Sequence, residues 1–287
     1  MSGTRSLLAM IEERIATGRF DLPARSGVAT ELHRLVADPD VDLARVAALI
    51  GGDAALTGEV LRAANSALYA GLSKVATVRE ASVRLGTAQL LRVAVQACEK
   101  QQYCAVSPTL QALMEPLWQH SQAAAHGAAW LARKLGYRDL EQVAFVGGLL
   151  HDVGKLLLIK VIEDVSVEEG LGEGLSEPLV LEILDSAHTT RGFDLARAWG
   201  LPDEYALLIR DHHLEDLTQS GTLLNLVSLA NKACRRLGIG IATDPSLVLA
   251  VTEEAATLGA GDIVLAQLMV ELEDLAAAGE ALGSAPR

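Results

Sequence analysis

The run Gly147-Gly148-Leu149-Leu150-His151-Asp152-Val153-Gly154-Lys155 closes an apolar helical stretch with an imidazole and a carboxylate side by side, followed by glycine and lysine. Upstream, Leu140, Val143, Ala144, Phe145, Val146, Leu149 and Leu150 leave almost no polar face. A helix that is apolar all round is central and buried, so His151 and Asp152 emerge near a core. Such a pair can hold a hard or borderline metal ion, the usual start of metal-assisted phosphate hydrolysis. The same pair can also persist for structure alone.

On both sides of this run the apolar residues recur with helical spacing and no alternating strand pattern stands out, which predicts an all-α fold. Helices are expected at roughly 4–18, 26–37, 42–51, 54–65, 77–99, 108–136, 139–162, 177–199, 203–213, 220–238, 246–258 and 260–281. Breaks fall at Asp38-Pro39-Asp40, Ser107-Pro108, Leu201-Pro202-Asp203 and Asp244-Pro245. Ser107-Pro108 suits a helix start, with serine as cap and proline at the first helical position. The acidic, glycine-bearing stretch from Ser166 to Glu177 reads as a surface loop. A seam near residues 100–107 divides an N-terminal helical subdomain, 1–105, from a second one, 106–287.

The chain of 287 residues is half hydrophobic, with a mean hydropathy of +0.27, so it has ample material for a core. Cys98, Cys104 and Cys234 form no CxxC and make an odd count, which suits a reducing cytoplasm better than a disulfide scaffold. The N-terminal Leu7–Ile11 run meets Glu12 and Glu13 too soon for a signal-peptide core, and no stretch approaches transmembrane length. Charge is uneven: residues 1–105 carry 12 Lys/Arg against 11 Asp/Glu, residues 106–287 carry 12 against 26. An acidic body with 3% aromatics repels nucleic acid and anionic membranes and has little with which to stack bases. The paired short helices 42–52 and 54–66 superficially resemble a helix-turn-helix, but the second carries Arg62 as its one base and is read as ordinary packing.

Several polar residues stand on apolar stripes. His120 lies three residues after Leu117 and four before Ala124, whereas His126 points elsewhere. His188 begins a seam with Gly192, Leu195 and Trp199, and Asn231 lies on one with Leu224, Val227 and Cys234. His212 and His213 end a short helix. A buried polar group left without a partner costs on the order of 1–3 kcal/mol. The economical expectation is that His120, His151, Asp152, His188 and Asn231 face one another in one pocket between helices. His33 and His126 are read as hydrogen-bonded residues outside it.

At these residues the sequence resembles the HDOD family, the HD-related output domain of bacterial signalling proteins. The resemblance spans about residues 20–240 and rests on an ordered series of short motifs. In the N-terminal part these are Leu22-Pro23, Asp53 through Leu56, Val60-Leu61-Arg62, Asn65-Ser66, Tyr69 and Leu85-Gly86. They continue with Trp118 through Ser121, Gly148 through Lys155, Glu182 with His188 and Gly192, Trp199 through Pro202, and His212-His213. Asp53-Ala54 departs from the family's usual Asp-Pro.

The resemblance implies an HD-domain-like multi-helix bundle, usually without demonstrated catalysis, acting as a signalling module. In catalytic relatives, including the HD-GYP phosphodiesterases, metals are held by histidines matching His120, His151, His188, His212 and His213. Carboxylates there match Asp152 and a late aspartate, at whose position this chain has Asn231. An asparagine offers one neutral carbonyl oxygen where aspartate offers a charge and two oxygens. Its presence should weaken a binuclear site and leave bound water less acidic. The Gly-Tyr-Pro signature is also missing, since Leu214-Glu215-Asp216 follows His212-His213.

The leading expectation is a cytoplasmic, non-catalytic signalling module that binds a protein partner or a small ligand and keeps a vestigial metal site. With HDOD-like sequence filling most of the chain, input is expected through a partner rather than an attached sensor domain. The alternative is a metal-dependent phosphohydrolase acting on a nucleotide or cyclic dinucleotide, with iron or manganese on the six His/Asp ligands. Lys155 would then contact phosphate; its other role is to neutralise Asp152.

Overall fold

The structure, a computed structural model, describes residues 7–17, 27–36, 38, 40–66, 69, 71, 73–170, 175–214, 216–217 and 220–283. Leu22-Pro23 and Glu215 lie outside the described residues. The described chain is all-α, with thirteen α-helices and no strand. In chain order they are α1 (Leu7–Thr17), α2 (Gly27–Val36), α3 (Leu43–Gly51), α4 (Ala54–Ala64), α5 (Val78–Lys100), α6 (Pro108–Lys134) and α7 (Glu141–Leu150). They continue as α8 (Val153–Glu168), α9 (Glu177–Ala198), α10 (Asp203–Asp211), α11 (Thr222–Leu237), α12 (Glu253–Leu258) and α13 (Asp262–Gly283). None of them is long and apolar enough to cross a membrane.

Side-chain caps set several N-termini. Asp42 and Asp53 accept from the N–H groups of Ala44 and Leu56, both at 2.9 Å, and Thr77 accepts from Glu80 at 3.1 Å. The short α3–α4 pair packs inward through Val46, Ile50, Leu56, Val60 and Ala64, all fully buried. α5 is broken at Gly86, whose φ of 74° and ψ of 166° interrupt the expected continuous helix; a positive φ favours glycine.

Further expectations change, among them the stretch 246–258, of which only Glu253–Leu258 forms an α-helix. The stretch 139–162 is not one helix, because it breaks at His151-Asp152 into α7 and α8. The His151 Nδ1–H donates to the Gly148 carbonyl at 2.7 Å, so a side chain takes the acceptor that a continuous helix would offer to the Asp152 N–H. Another change is at α6, which starts at Pro108 as expected, but Ser107 makes no capping bond. Glu163 of α8 instead accepts from the N–H groups of Val106 and Ser107. α8 also continues to Glu168, shortening the expected loop.

α6 is the spine. Its Leu110, Leu113, Met114, Leu117 and Trp118 join an apolar cluster that runs through α2–α5 and α7–α10. Its Ala123, Ala124, Ala128, Leu131 and Ala132 join a second cluster with α11, α12 and α13. Helix approach is closest at glycines. A Cβ on Gly154 of α8 would lie 1.9 Å from the His188 carbonyl oxygen of α9, and one on Gly148 would lie 2.6 Å from the Ala125 Cα of α6. These contacts draw α6, the α7–α8 turn and α9 around one point.

Candidate metal centre

That point is Asp152, in the turn between α7 and α8 and 3% exposed. His120 comes to it from α6, His151 from the end of α7, His188 from α9 and His212 from the turn after α10; all four are buried. Each ring is aimed by its Nδ1–H. His120 donates to the Ile239 carbonyl at 2.9 Å, His151 to Gly148 at 2.7 Å, His188 to Leu184 at 2.8 Å and His212 to Ile209 at 2.8 Å. A carbonyl can only accept, so each proton is fixed on Nδ1 and each Nε2 presents a lone pair inward. The Ser228 hydroxyl of α11 donates to the His212 carbonyl at 3.2 Å and ties that turn in place.

The Nε2 atoms of His188 and His212 both lie 3.4 Å from Asp152 Oδ1. Those of His120 and His151 both lie 3.5 Å from Oδ2 and 3.1 Å from each other. His213 completes the first group; exposed at the edge, its ring centroid lies 4.2 Å from that of His212 and 5.1 Å from that of His188. All six residues expected from the sequence therefore meet, as two donor groups sharing Asp152. Lys155 Nζ donates to Asp152 Oδ2 at 2.6 Å.

Burial drives three of these imidazoles towards their neutral form. It lowers His120, takes His151 well below its ordinary value, and pushes His188 down to about 4, against the opposing pull of the Asp152 charge. Asp152 goes the other way overall. Burial opposes its charge, but the Lys155 ammonium holds the carboxyl well below the usual carboxylate range. Neutral imidazoles around an ionised carboxylate are the protonation states that metal ligation requires.

A divalent ion fits this donor set. Asp152 Oδ1, His188 Nε2 and His212 Nε2 are buried without a hydrogen-bond partner, and three inward-facing acceptors have no donor to satisfy them. Donors held at about 2.0–2.2 Å from a small divalent ion lie roughly 3–3.5 Å from one another, the spacing seen around Asp152. The backbone carbonyls that fix each Nδ1 are the orienting contacts such ligands need.

The residues match the HDOD domain family from 22 to 215. The chain belongs to that family. A curated but uncharacterised protein of Treponema pallidum (strain Nichols) is 28% identical over 214 residues, covering 73% of this chain; the match spans 40% of the relative's own length. The fold is similar to that of an HDOD domain protein of unknown function from Geobacter sulfurreducens. There the TM-score is 0.74 at 23% identity, over 94% of this chain and 96% of the other. It is also similar to that of a candidate metal-dependent phosphohydrolase from Shewanella amazonensis SB2B, with a TM-score of 0.70 at 18% identity over 94% and 97%. At these identities the solved structures speak for the fold alone.

Asn231 is buried on α11 and lines a narrow cleft with His120, Lys155 and His213. Arg235 and Asp185 also line this cleft and were not singled out in the sequence. Their spacing was the available signal: Arg235 follows Asn231 by one helical turn, and Asp185 precedes His188 by three residues. His33 and His126 lie outside the pocket, as expected. His33 Nδ1–H donates to Ala29 at 2.7 Å, and His126 Nε2 accepts from Gln96 at 2.9 Å.

Proposed function

We propose that this HDOD protein is a non-catalytic signalling module whose His/Asp pocket holds a divalent ion as a structural element. The observation that carries this reading is the size of the cleft over the pocket. It offers about 30 Å³, lined by His120, Lys155, Asp185, His213, Asn231 and Arg235. Sites for small organic ligands run to about 300–1,000 Å³. A water molecule enters such a cleft; a nucleotide does not. The neutral amide of Asn231 further reduces the negative charge available to support a catalytic metal pair.

His120, His151, Asp152, His188, His212 and His213 are the residues available to hold metal, in two groups that share Asp152. Imidazole with carboxylate favours iron or manganese over calcium. When bound, such an ion supplies Lewis acidity and cross-links the helices and turns that bring its ligands. Regulation would then run through a protein partner in the cytoplasm, with residues 1–105 and 106–287 acting as two subdomains. Exposed apolar side chains such as Val251 (80% exposed) and Ile263 (76%) are compatible with protein contacts.

The test is metal analysis of purified protein, followed by assay against generic and cyclic-dinucleotide phosphodiesters with added manganese or iron. The expected result is bound metal without turnover. Turnover that disappears in both His151→Ala and Asp152→Ala would overturn this reading in favour of a metal-dependent phosphohydrolase. The complete convergence of the histidines is what keeps that second reading in view.

A further inference from the structure

Asp152 splits the pocket into two unequal halves. On the Oδ1 side, the carboxylate oxygen, His188 Nε2 and His212 Nε2 are all buried and all lack a hydrogen-bond partner. On the Oδ2 side, Lys155 Nζ already donates to the oxygen at 2.6 Å. There the Nε2 atoms of His120 and His151 lie 3.1 Å apart, both turned to the oxygen that Lys155 already holds. Oδ1 is therefore the carboxylate oxygen left without a cation, and Oδ2 the one that already has one.

We infer that the pocket takes a single divalent ion, on the Oδ1 side with His188, His212 and His213, and that the Lys155 ammonium closes the other half. This rests on the reading of the pocket as metal-holding. Lys155 lies in the first turn of α8, three residues after Asp152, so its reach to Oδ2 is set by the helix. Its side chain is 10% exposed and its bond to Oδ2 is a charge-assisted one.

Charge decides the count. Asp152 is the one carboxylate in both donor groups. A divalent ion with the Lys155 ammonium already outweighs it. A second divalent ion would add two more positive charges at a buried site, where charges repel strongly and Asn231 contributes none in return. Asp185, the other carboxylate lining the cleft, is exposed and belongs to neither group. Lys155 thus stands in for the second ion as a fixed monovalent cation.

The experiment loads the full chain with Mn(II), removes excess ion by gel filtration, and counts metal per chain by mass spectrometry alongside electron paramagnetic resonance. The expected result for the unaltered chain is one ion with an isolated six-line signal, lost in His188→Ala and retained in His120→Ala. Lys155→Ala should raise the count to two, with an exchange-coupled signal. Lys155→Met, which keeps the side-chain bulk, checks the same result should the alanine variant fold poorly. Two ions in the unaltered chain, or one ion lost in His120→Ala but kept in His188→Ala, overturns the assignment of halves and leaves the metal-holding reading standing. No Mn(II) in the unaltered chain or in either Lys155 variant overturns both.

Discussion

His126, half-buried, and His188, buried, are both imidazoles on long helices, and burial lowers both to about 4. Their surroundings differ in one respect. His126 Nε2 accepts from the Gln96 amide at 2.9 Å, and its ring stands edge-on to Phe145. His188 Nε2 accepts from nothing and faces a carboxylate oxygen 3.4 Å away. Burial and lowered basicity therefore do not mark a ligand; an inward lone pair without a donor does.

The hardest test of this contrast removes its centre. Asp152→Ala strips the buried carboxylate from Lys155 and four imidazoles, and should cost about 3–5 kcal/mol of stability, as loss of one partner in a buried ion pair does. Urea unfolding of the metal-free protein measures it. The double variant Asp152→Ala/Lys155→Met should recover most of the loss; if it recovers none, the ion pair is not what Asp152 stabilises. Next in size is Gly154→Ala, whose Cβ meets the His188 carbonyl at 1.9 Å and forces α8 from α9. We expect a cost of about 3 kcal/mol, with loss of Mn(II) binding, from the strain of overpacking two backbones. An unchanged midpoint would mean the helices part without cost.

Metal linkage separates the two kinds of histidine directly. An ion that binds the folded state alone stabilises it by about 2.7 kcal/mol at 100 times its dissociation constant. For a chain of this size that is an upward shift of roughly 5–10 °C in Tm. The shift should vanish in His188→Ala and survive in His126→Ala, although both variants start from a lower Tm. A shift kept in His188→Ala would place the ion elsewhere.

The all-α fold was legible because helical periodicity is a local signal, and most helix ends fall within a few residues of expectation. What escaped depends on partners distant in sequence or on backbone. Nothing near Ser107 announces Glu163, 56 residues away, as the acceptor of its N–H. The break at His151-Asp152 comes from a ring that takes its own helix's carbonyl, which apolar spacing does not report. The pocket was legible in its members, since polar residues on apolar stripes must meet something. Its division was not: which Asp152 oxygen faces Lys155 is a matter of rotamer and helix approach, and the Ile239 carbonyl that aims His120 lies 119 residues from it.

The smallest effect is the one that tests what the two histidine types share. His126 has a folded-state value of about 4 against an ordinary 6.5, held down first by burial and then by the Arg92 charge. Between these values the unfolded chain carries a proton there that the folded chain does not. The sign follows: more protons on the unfolded state means stability rises with pH. The contribution is fully present above about pH 6.5 and is lost as pH falls towards about 4, at roughly 1.4 kcal/mol per pH unit for one imidazole. His126→Gln removes that proton, so stability of the metal-free variant should fall less steeply by about that amount, read from urea midpoints at several pH values. His188 contributes a slope of the same sign in the metal-free protein, and bound Mn(II) makes it steeper because protons then compete with the ion for Nε2. Adding Mn(II) should therefore steepen the pH dependence of His126→Gln and leave that of His188→Ala unchanged. Equal steepening in both would dissolve the distinction between a satisfied imidazole and an open one.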